Sequence, residues 1–136
     1  MEDTVIVVML KDPVTGFLEK ELGTYDLTAH EELLYNIYAE QQDGKTQVVL
    51  RLTTERDVED WEFEAIYDYY DAAALAPWAL QVEEEEDCFN PIWKVTVPFL
   101  EEPTAMEEEI DGILSAHWQE LSSVYEVIKD KKDEYQ

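Results

Sequence analysis

The chain has 136 residues, of which 34 are acidic and nine are basic, so its net charge at pH 7 is −25. This charge argues against direct binding to nucleic acid or to an anionic membrane surface, because like charges repel. The apolar fraction, 46%, is ordinary for a folded chain, and the length favours one domain over residues 1–136.

Cysteine content and hydropathy give the first expectations about location. Cys88 is the sole cysteine in the sequence, so an internal disulfide is excluded, which suits a reducing compartment. The early apolar run at residues 5–10 is too short to span a membrane, and Glu2 and Asp3 precede it rather than a basic segment. We therefore predict no signal peptide, no membrane helix and a cytoplasmic location.

The first predicted elements are two strands joined by a turn. Residues 4–10 form a continuous apolar, β-branched run, which is typical of a strand buried on both faces. Asp12, Pro13 and Gly16 follow and favour a turn. Residues 17–27 are then predicted to be the return strand of a hairpin.

Three helices are predicted from a repeated start signal. Thr28, Thr54 and Thr104 each stand three residues before an acid, a pattern that resembles a capping box. The first helix is predicted to end near Asp43 and Gly44. The third carries a long apolar stripe at helical spacing, formed by Met106, Ile110, Ile113, Leu114, His117, Leu121, Val124, Tyr125 and Ile128.

The remaining segments alternate and predict strands. Residues 46–53 form one strand, and residues 78–82 and 93–99 form a hairpin whose tip holds the acidic run Glu83–Asp87. The predicted order is ββαβαββα, an α+β fold with a five-stranded, largely antiparallel sheet and helices packed on one face. The last residues, 130–136, are predicted to fray.

The second predicted helix, residues 57–71, sorts its side chains into three sectors at about 100° per residue. The sector assigned to the sheet holds Val58, Trp61, Ala65, Ile66 and Tyr69, with Glu62 intruding. The opposite sector holds Asp57, Asp60, Glu64, Asp68 and Asp71. The third holds Phe63, Tyr67 and Tyr70. Either the acids are only a solvated face and a neighbouring element covers the rings, or the rings are uncovered and bind a partner.

The partner-binding hypothesis combines the rings of Phe63, Tyr67 and Tyr70 with the acids Asp60, Glu64 and Asp68. Aromatic side chains supply much of the binding energy at interfaces, and charged rims steer encounter. The expected partner is a basic protein or a second copy of the chain.

The main alternative is mimicry of duplex DNA. Carboxylates four residues apart on a helix are about 6 Å apart along its axis, against a charge every 3.4 Å along one DNA strand. A second row, from Glu83–Asp87 or Glu107–Asp111, would be needed to approach that density. The acidic runs Glu83–Asp87 and Glu101–Asp111 are equally consistent with solubility and edge protection, or with binding a divalent cation.

Catalytic chemistry has little support in the sequence. The acidic runs lack the ligand spacing and glycine of a calcium loop, and Cys88 is flanked by acids, which blunt thiol reactivity. His117 falls within the apolar stripe, so we expect a hydrogen-bonded core histidine. We predict no catalytic residue, no metal and no cofactor, and an enzyme with a carboxylate-bound metal is the least favoured function.

Three stretches, KDPVTGFLEKELGTY, RDVEDWEFEAIYDYYD and CFNPIWKVTVPF, together resemble a family of short, acidic, uncharacterised bacterial proteins, a domain of unknown function. The likeness covers nearly the whole chain. The family has no assigned activity, so the resemblance implies no catalytic or binding residues. It implies a bacterial housekeeping protein rather than a phage inhibitor.

Overall fold

Six strands form one mixed sheet, and two helices pack against it. The computed structural model describes residues 4–12, 14–27, 30–86 and 88–135. The elements are β1 (Thr4–Lys11), β2 (Leu18–Leu27), β3 (Leu34–Gln42), β4 (Lys45–Leu52), α1 (Asp60–Tyr69), β5 (Gln81–Glu84), β6 (Trp93–Pro98) and α2 (Pro103–Ile128). The strand order is β2-β1-β3-β4-β6-β5, with β1 and β3 parallel and the other neighbours antiparallel. The α+β class is confirmed, whereas the predicted five strands and the order ββαβαββα are wrong.

The first predicted helix is a strand. Residues 31–33 make one short 3-10 turn, and β3 then pairs with β4 from Leu34 to Gln42. Asp43 and Gly44, at φ 55° and 79°, form the two-residue turn between these strands, and two positive φ values match the twist of a hairpin. The local turn and the aromatic, β-branched side chains of this segment therefore outweigh its helical spacing. The predicted Thr28 cap lies outside the described residues.

One face of the sheet is covered and the other is open at its β1 end. On β1, Val8 is fully buried, whereas Val5 and Val7 are 56% and 43% exposed. The prediction that this strand is buried on both faces is therefore wrong, because successive side chains point to opposite faces and the helices cover only one of them. A groove lies on this open face.

The core lies between the sheet and the two helices. On α2, the predicted stripe is buried except for Tyr125, which is half-buried and donates a hydrogen bond to Glu55 at 2.6 Å. From the sheet, Val48, Leu50 and Val95 are fully buried against this layer. Alternating strand residues thus meet the apolar stripe of an amphipathic helix.

Carboxylates, not the predicted threonines, stand at both helix starts. Before α1, Glu59 is the cap, and its amide donates to Glu62 at 3.0 Å. Before α2, the Glu102 side chain accepts from the amide of Ala105 at 2.6 Å. These carboxylates accept hydrogen bonds from backbone amides that have no partner within the helix, and their negative charge stabilises the positive end of the helix dipole.

The described end of the chain packs on α1, and the fraying of residues 130–136 stays a prediction. The Tyr135 hydroxyl donates to Asp68 at 2.7 Å, and the Lys131 ammonium lies 5.4 Å from the centre of the Tyr69 ring. Residues 132–134 form a 3-10 turn between these contacts.

We predict that Gly44→Ala lowers the free energy of unfolding by about 1 kcal/mol, because an L side chain at positive φ is strained. Nothing lies within 4 Å of the position a methyl group would take, so no clash contributes. Chemical denaturation measures the change. Asp43→Asn is the control, since asparagine tolerates the left-handed region, and a Gly44→Ala protein as stable as this control would contradict the prediction.

Candidate functional site

The acidic sector of α1 and its flanks faces solvent, as the helical wheel predicts. Its members, Asp57, Asp60, Glu64, Asp68 and Asp71, are all exposed, and we call them the acidic face. Among the described residues, Asp60 and Glu64 form no hydrogen bond or ion pair, whereas Asp68 accepts from Tyr135. The acidic face therefore keeps unpaired carboxylates in water.

The aromatic sector of α1 is partly covered, and the prediction that its rings are uncovered is wrong for Tyr70. Tyr70 is only 7% exposed and packs on Trp93 of β6, with ring centres 4.4 Å apart. Tyr67 and Phe63 are half-buried, and their rings meet edge to face at 5.0 Å. Tyr69, which the wheel assigns to the sheet, is instead 41% exposed. A partner on this flank would reach Phe63 and Tyr69 rather than Tyr70.

The hydroxyl of Tyr67 fastens the loop between β5 and β6. It accepts a hydrogen bond from the Ile92 amide at 2.9 Å, and lies 2.8 Å from the Glu85 carbonyl and 3.1 Å from the Ile92 carbonyl. Its single proton serves the nearer carbonyl, that of Glu85. Burial raises the pKa of the Tyr67 phenol well above its ordinary value. This geometry gives Tyr67 a structural role.

His117 of α2 is the buried, hydrogen-bonded histidine that the sequence predicts. Its Nε2 lies 2.8 Å from the Thr53 carbonyl, and its Nδ1 lies 2.8 Å from the Tyr70 hydroxyl. A carbonyl can only accept, so Nε2 carries the proton, and the Tyr70 hydroxyl donates to Nδ1 of the neutral ring. Burial lowers the pKa of His117 to about 4. His117 is thus held neutral.

Glu62, the acid that intrudes on the apolar sector of α1, is buried and paired. Arg56 donates to its two oxygens at 2.8 and 3.1 Å, and these hydrogen bonds hold the pKa of Glu62 below its ordinary value. The Arg56 guanidinium also lies 4.8 Å from the centre of the Tyr125 ring, which links α1 to α2. A bidentate ion pair of this kind offsets the free-energy cost of burying the Glu62 carboxylate.

A cavity of about 580 Å³ lies on the open face of the sheet, and we call it the basic groove. Its lining includes three of the nine basic residues of the chain, Lys11 of β1, Arg51 of β4 and Lys94 of β6. Tyr38 of β3 and Glu85, which follows β5, complete its polar lining together with Asn36. The groove therefore concentrates positive charge on an otherwise acidic protein.

Contacts inside the basic groove hold its central arginine. Arg51 donates two hydrogen bonds of 2.7 Å to Glu85, and they hold the pKa of that carboxyl below its ordinary value. The Lys11 ammonium lies 5.0 Å from the centre of the Tyr38 ring, and Arg51 lies 4.9 Å from that of Tyr35. Both cations therefore contact aromatic rings. Arg51 also has an ion pair with Glu85, whereas Lys11 has none within the described residues.

The basic groove is the feature that sequence reasoning missed. Its cations come from positions 11, 51 and 94, and strand pairing alone brings them together. The one available signal was Arg51, a charged residue on the non-core side of an alternating strand. The described residues contain no group of three His, Cys, Asp or Glu side chains placed to hold a metal ion.

Comparison with known proteins identifies a family. A family model described as "Family of unknown function (DUF6762)" matches residues 1–136. The chain belongs to DUF6762. This confirms the expected resemblance to a domain of unknown function, and the bacterial origin stays a prediction. The curated proteins and the solved structures gave no match. Within the described part of this DUF6762 chain, no helix is long and apolar enough to cross a membrane.

We predict that Tyr67→Phe lowers the free energy of unfolding by about 1–3 kcal/mol, because the Ile92 amide and the Glu85 carbonyl lose their partner. Urea denaturation measures the loss. Tyr35→Phe is the matched control, since the Tyr35 ring is exposed and its hydroxyl makes no hydrogen bond within the described residues. Equal stability of the two variants would refute the structural role of Tyr67.

Stability should fall as pH decreases from about 6.5 to about 4, because in this window the unfolded state protonates His117 and the folded state does not. The neutral His117 ring contributes about 3 kcal/mol to the free energy of unfolding above this pH window, and this contribution is lost below it. Denaturation at several pH values measures the slope, which should be reduced in His117→Gln. Tyr35→Phe is the control, since Tyr35 is exposed and its ring packs on Arg51, away from His117. If His117→Gln keeps the slope of the parent protein, the buried ring is not its source.

Proposed function

We propose that this DUF6762 protein is a non-enzymatic, cytoplasmic binding domain that recognises a basic protein partner through the acidic face of α1. The observation that carries the proposal is the exposure of all five carboxylates of this face, with Asp60 and Glu64 unpaired among the described residues. A concentrated field of one sign accelerates encounter with a partner of the opposite sign.

The aromatic component of the proposed surface is smaller than the sequence predicts. Phe63 is half-buried and Tyr69 is 41% exposed, so both can contribute ring surface beside the carboxylates. Tyr70 is excluded from contact by its burial. Apolar rings next to a charged rim are the usual composition of an interface centre. A second copy of the chain is a weaker candidate than a basic partner, because each copy carries a net charge of −25.

Duplex-DNA mimicry is the alternative that uses the same face. It needs a second row of carboxylates beside Asp60, Glu64 and Asp68, since one row repeats only about every 6 Å. Two runs are proposed for that row. In Glu83–Asp87, Glu85 is paired with Arg51 and lines the basic groove. In Glu107–Asp111, Glu107 accepts a hydrogen bond from the Asp26 amide at 2.7 Å. These two contacts favour a basic protein partner over mimicry. An enzyme with a carboxylate-bound metal remains the least favoured proposal.

The test is selective loss of binding on reversing the two unpaired charges. We expect the double variant Asp60→Lys, Glu64→Lys to weaken binding to basic proteins at least about tenfold, because the interaction is electrostatic. Proteins that the parent chain retains from a cell extract are identified, purified, and their affinity for each variant is measured at fixed salt. Competition with duplex DNA then distinguishes the two functions. A DNA mimic must displace DNA from the partner, whereas a domain that binds the partner at another surface does not.

The matched control is Glu31→Lys, Glu32→Lys, which makes the same change in net charge at two exposed acids outside α1. Circular dichroism confirms that both variants are folded. If the two variants lose affinity equally, bulk charge and not the acidic face is responsible. If neither loses affinity, the proposed surface is wrong.

A further inference from the structure

We propose that the basic groove on the open face of the sheet binds a small organic phosphate monoester. This site is separate from the acidic face, and it does not depend on the proposed function. Three lines of observation carry it: the unpaired cations, the placement of like charges on adjacent strands, and the shape of the cavity.

The side chains that line the groove carry a positive net charge. Three cations and one carboxylate line it, which leaves two positive charges. The carboxylate of Glu85 pairs with Arg51, whereas Lys11 and Lys94 form no ion pair within the described residues. In a chain with 34 acids and nine bases, two half-buried lysines that form no salt bridge within the described residues stand out, and Glu83, opposite Lys94 on β5, does not line the groove. A phosphate monoester carries about −1.5 to −2 at pH 7 and matches this excess.

Strand register places two of the cations against each other. Arg51 of β4 is directly opposite Lys94 of β6, so their side chains share one face of the sheet. Like charges directly opposite each other on neighbouring strands are destabilising. Glu85 forms an ion pair with Arg51, and Glu83 of β5 is directly opposite Lys94 but forms no ion pair with it within the described residues. An anion bound between Lys94 and Lys11 would remove the remaining repulsion.

The groove has the size and the walls of a small-molecule site. Its volume of about 580 Å³ lies within the range typical of ligand pockets, about 300–1,000 Å³. The side chains of Leu18 and Ile37 give it apolar surface, and the Tyr38 ring lies beneath the Lys11 ammonium. A phosphate group can therefore contact the lysines while an apolar or aromatic body rests against these walls.

Glu85 should compete with the ligand. Its two oxygens occupy two N–H groups of Arg51, and its charge offsets part of the field that would attract a phosphate. Glu85→Gln keeps a hydrogen-bonding side chain but removes that charge, so it should tighten phosphate binding. A purely structural role for the Arg51–Glu85 pair predicts no such gain.

The experiment is a titration of isotope-labelled protein, followed by the backbone amide signals of Lys11, Arg51 and Lys94 at low ionic strength. The probes are phenyl phosphate, inorganic phosphate and phenylacetate. We expect saturable shifts with phenyl phosphate, weaker binding of inorganic phosphate, which lacks the apolar body, and weakest binding of the singly charged phenylacetate. Lys94→Met and Lys11→Met should each weaken phenyl phosphate binding about tenfold or more, and Glu85→Gln should strengthen it.

Lys45→Met is the control, since Lys45 is exposed, lies outside the groove and gives the same change in net charge. No saturable shift with phenyl phosphate would overturn the proposal, and so would equal weakening by Lys45→Met. Equal affinity for phenylacetate and phenyl phosphate would overturn the assignment to phosphate. Thermal unfolding of each variant without ligand shows that losses of binding do not come from unfolding.

Discussion

The packing around Trp93 is the constraint from which the rest of the structure follows. This residue of β6 is fully buried, and three rings surround it: Tyr70 at 4.4 Å, His117 at 5.0 Å and Tyr67 at 5.5 Å between ring centres. The cluster joins α1, α2 and the sheet through close-packed aromatic surface. Because the rings of α1 face Trp93, the opposite side of that helix is left to its carboxylates. The interior packing thus determines which face of α1 meets water.

The sheet separates the molecule into two sides of different electrostatic character. The helical side shows the acidic face, and the open side holds the groove with Lys11, Arg51 and Lys94. At a net charge of −25, negative potential dominates at long range, while the local cations act over a few ångströms. The two surfaces therefore carry charge of opposite sign on opposite sides of the sheet.

The spacing of apolar residues predicts an element correctly where it fits one type of secondary structure. It fails where the same segment fits both a helix and a strand. The stripe of α2 and the alternation of β4 each have a single period, and both elements were predicted. In residues 31–42, Leu33, Leu34 and Ile37 fit a helix, yet the turn at Asp43 and Gly44 and the pairing with β4 select a strand. Local spacing cannot weigh the free energy of pairing with a distant strand, and this is why β3 was missed.

The candidate sites show the same limit. A helical wheel gives the direction of Tyr67 and Tyr70, and it assigned the acids to solvent correctly. It does not reveal what lies in that direction, and Trp93, more than twenty residues away, covers the rings. The basic groove depends on strand order, which places positions 11, 51 and 94 together. Neither composition nor spacing contains that information.

The strand order also suggests how the polypeptide assembles. Three hairpins, β1–β2, β3–β4 and β5–β6, form from neighbouring segments, and two seams, β1–β3 and β4–β6, join them. The seam between β4 and β6 is paired over six positions, whereas that between β1 and β3 is paired at Leu10 and Ala39. The amino-terminal hairpin therefore depends on α2 as well as on the sheet, since the Asp26 amide of β2 donates to Glu107 at 2.7 Å and Tyr25 and Leu27 are buried in the core.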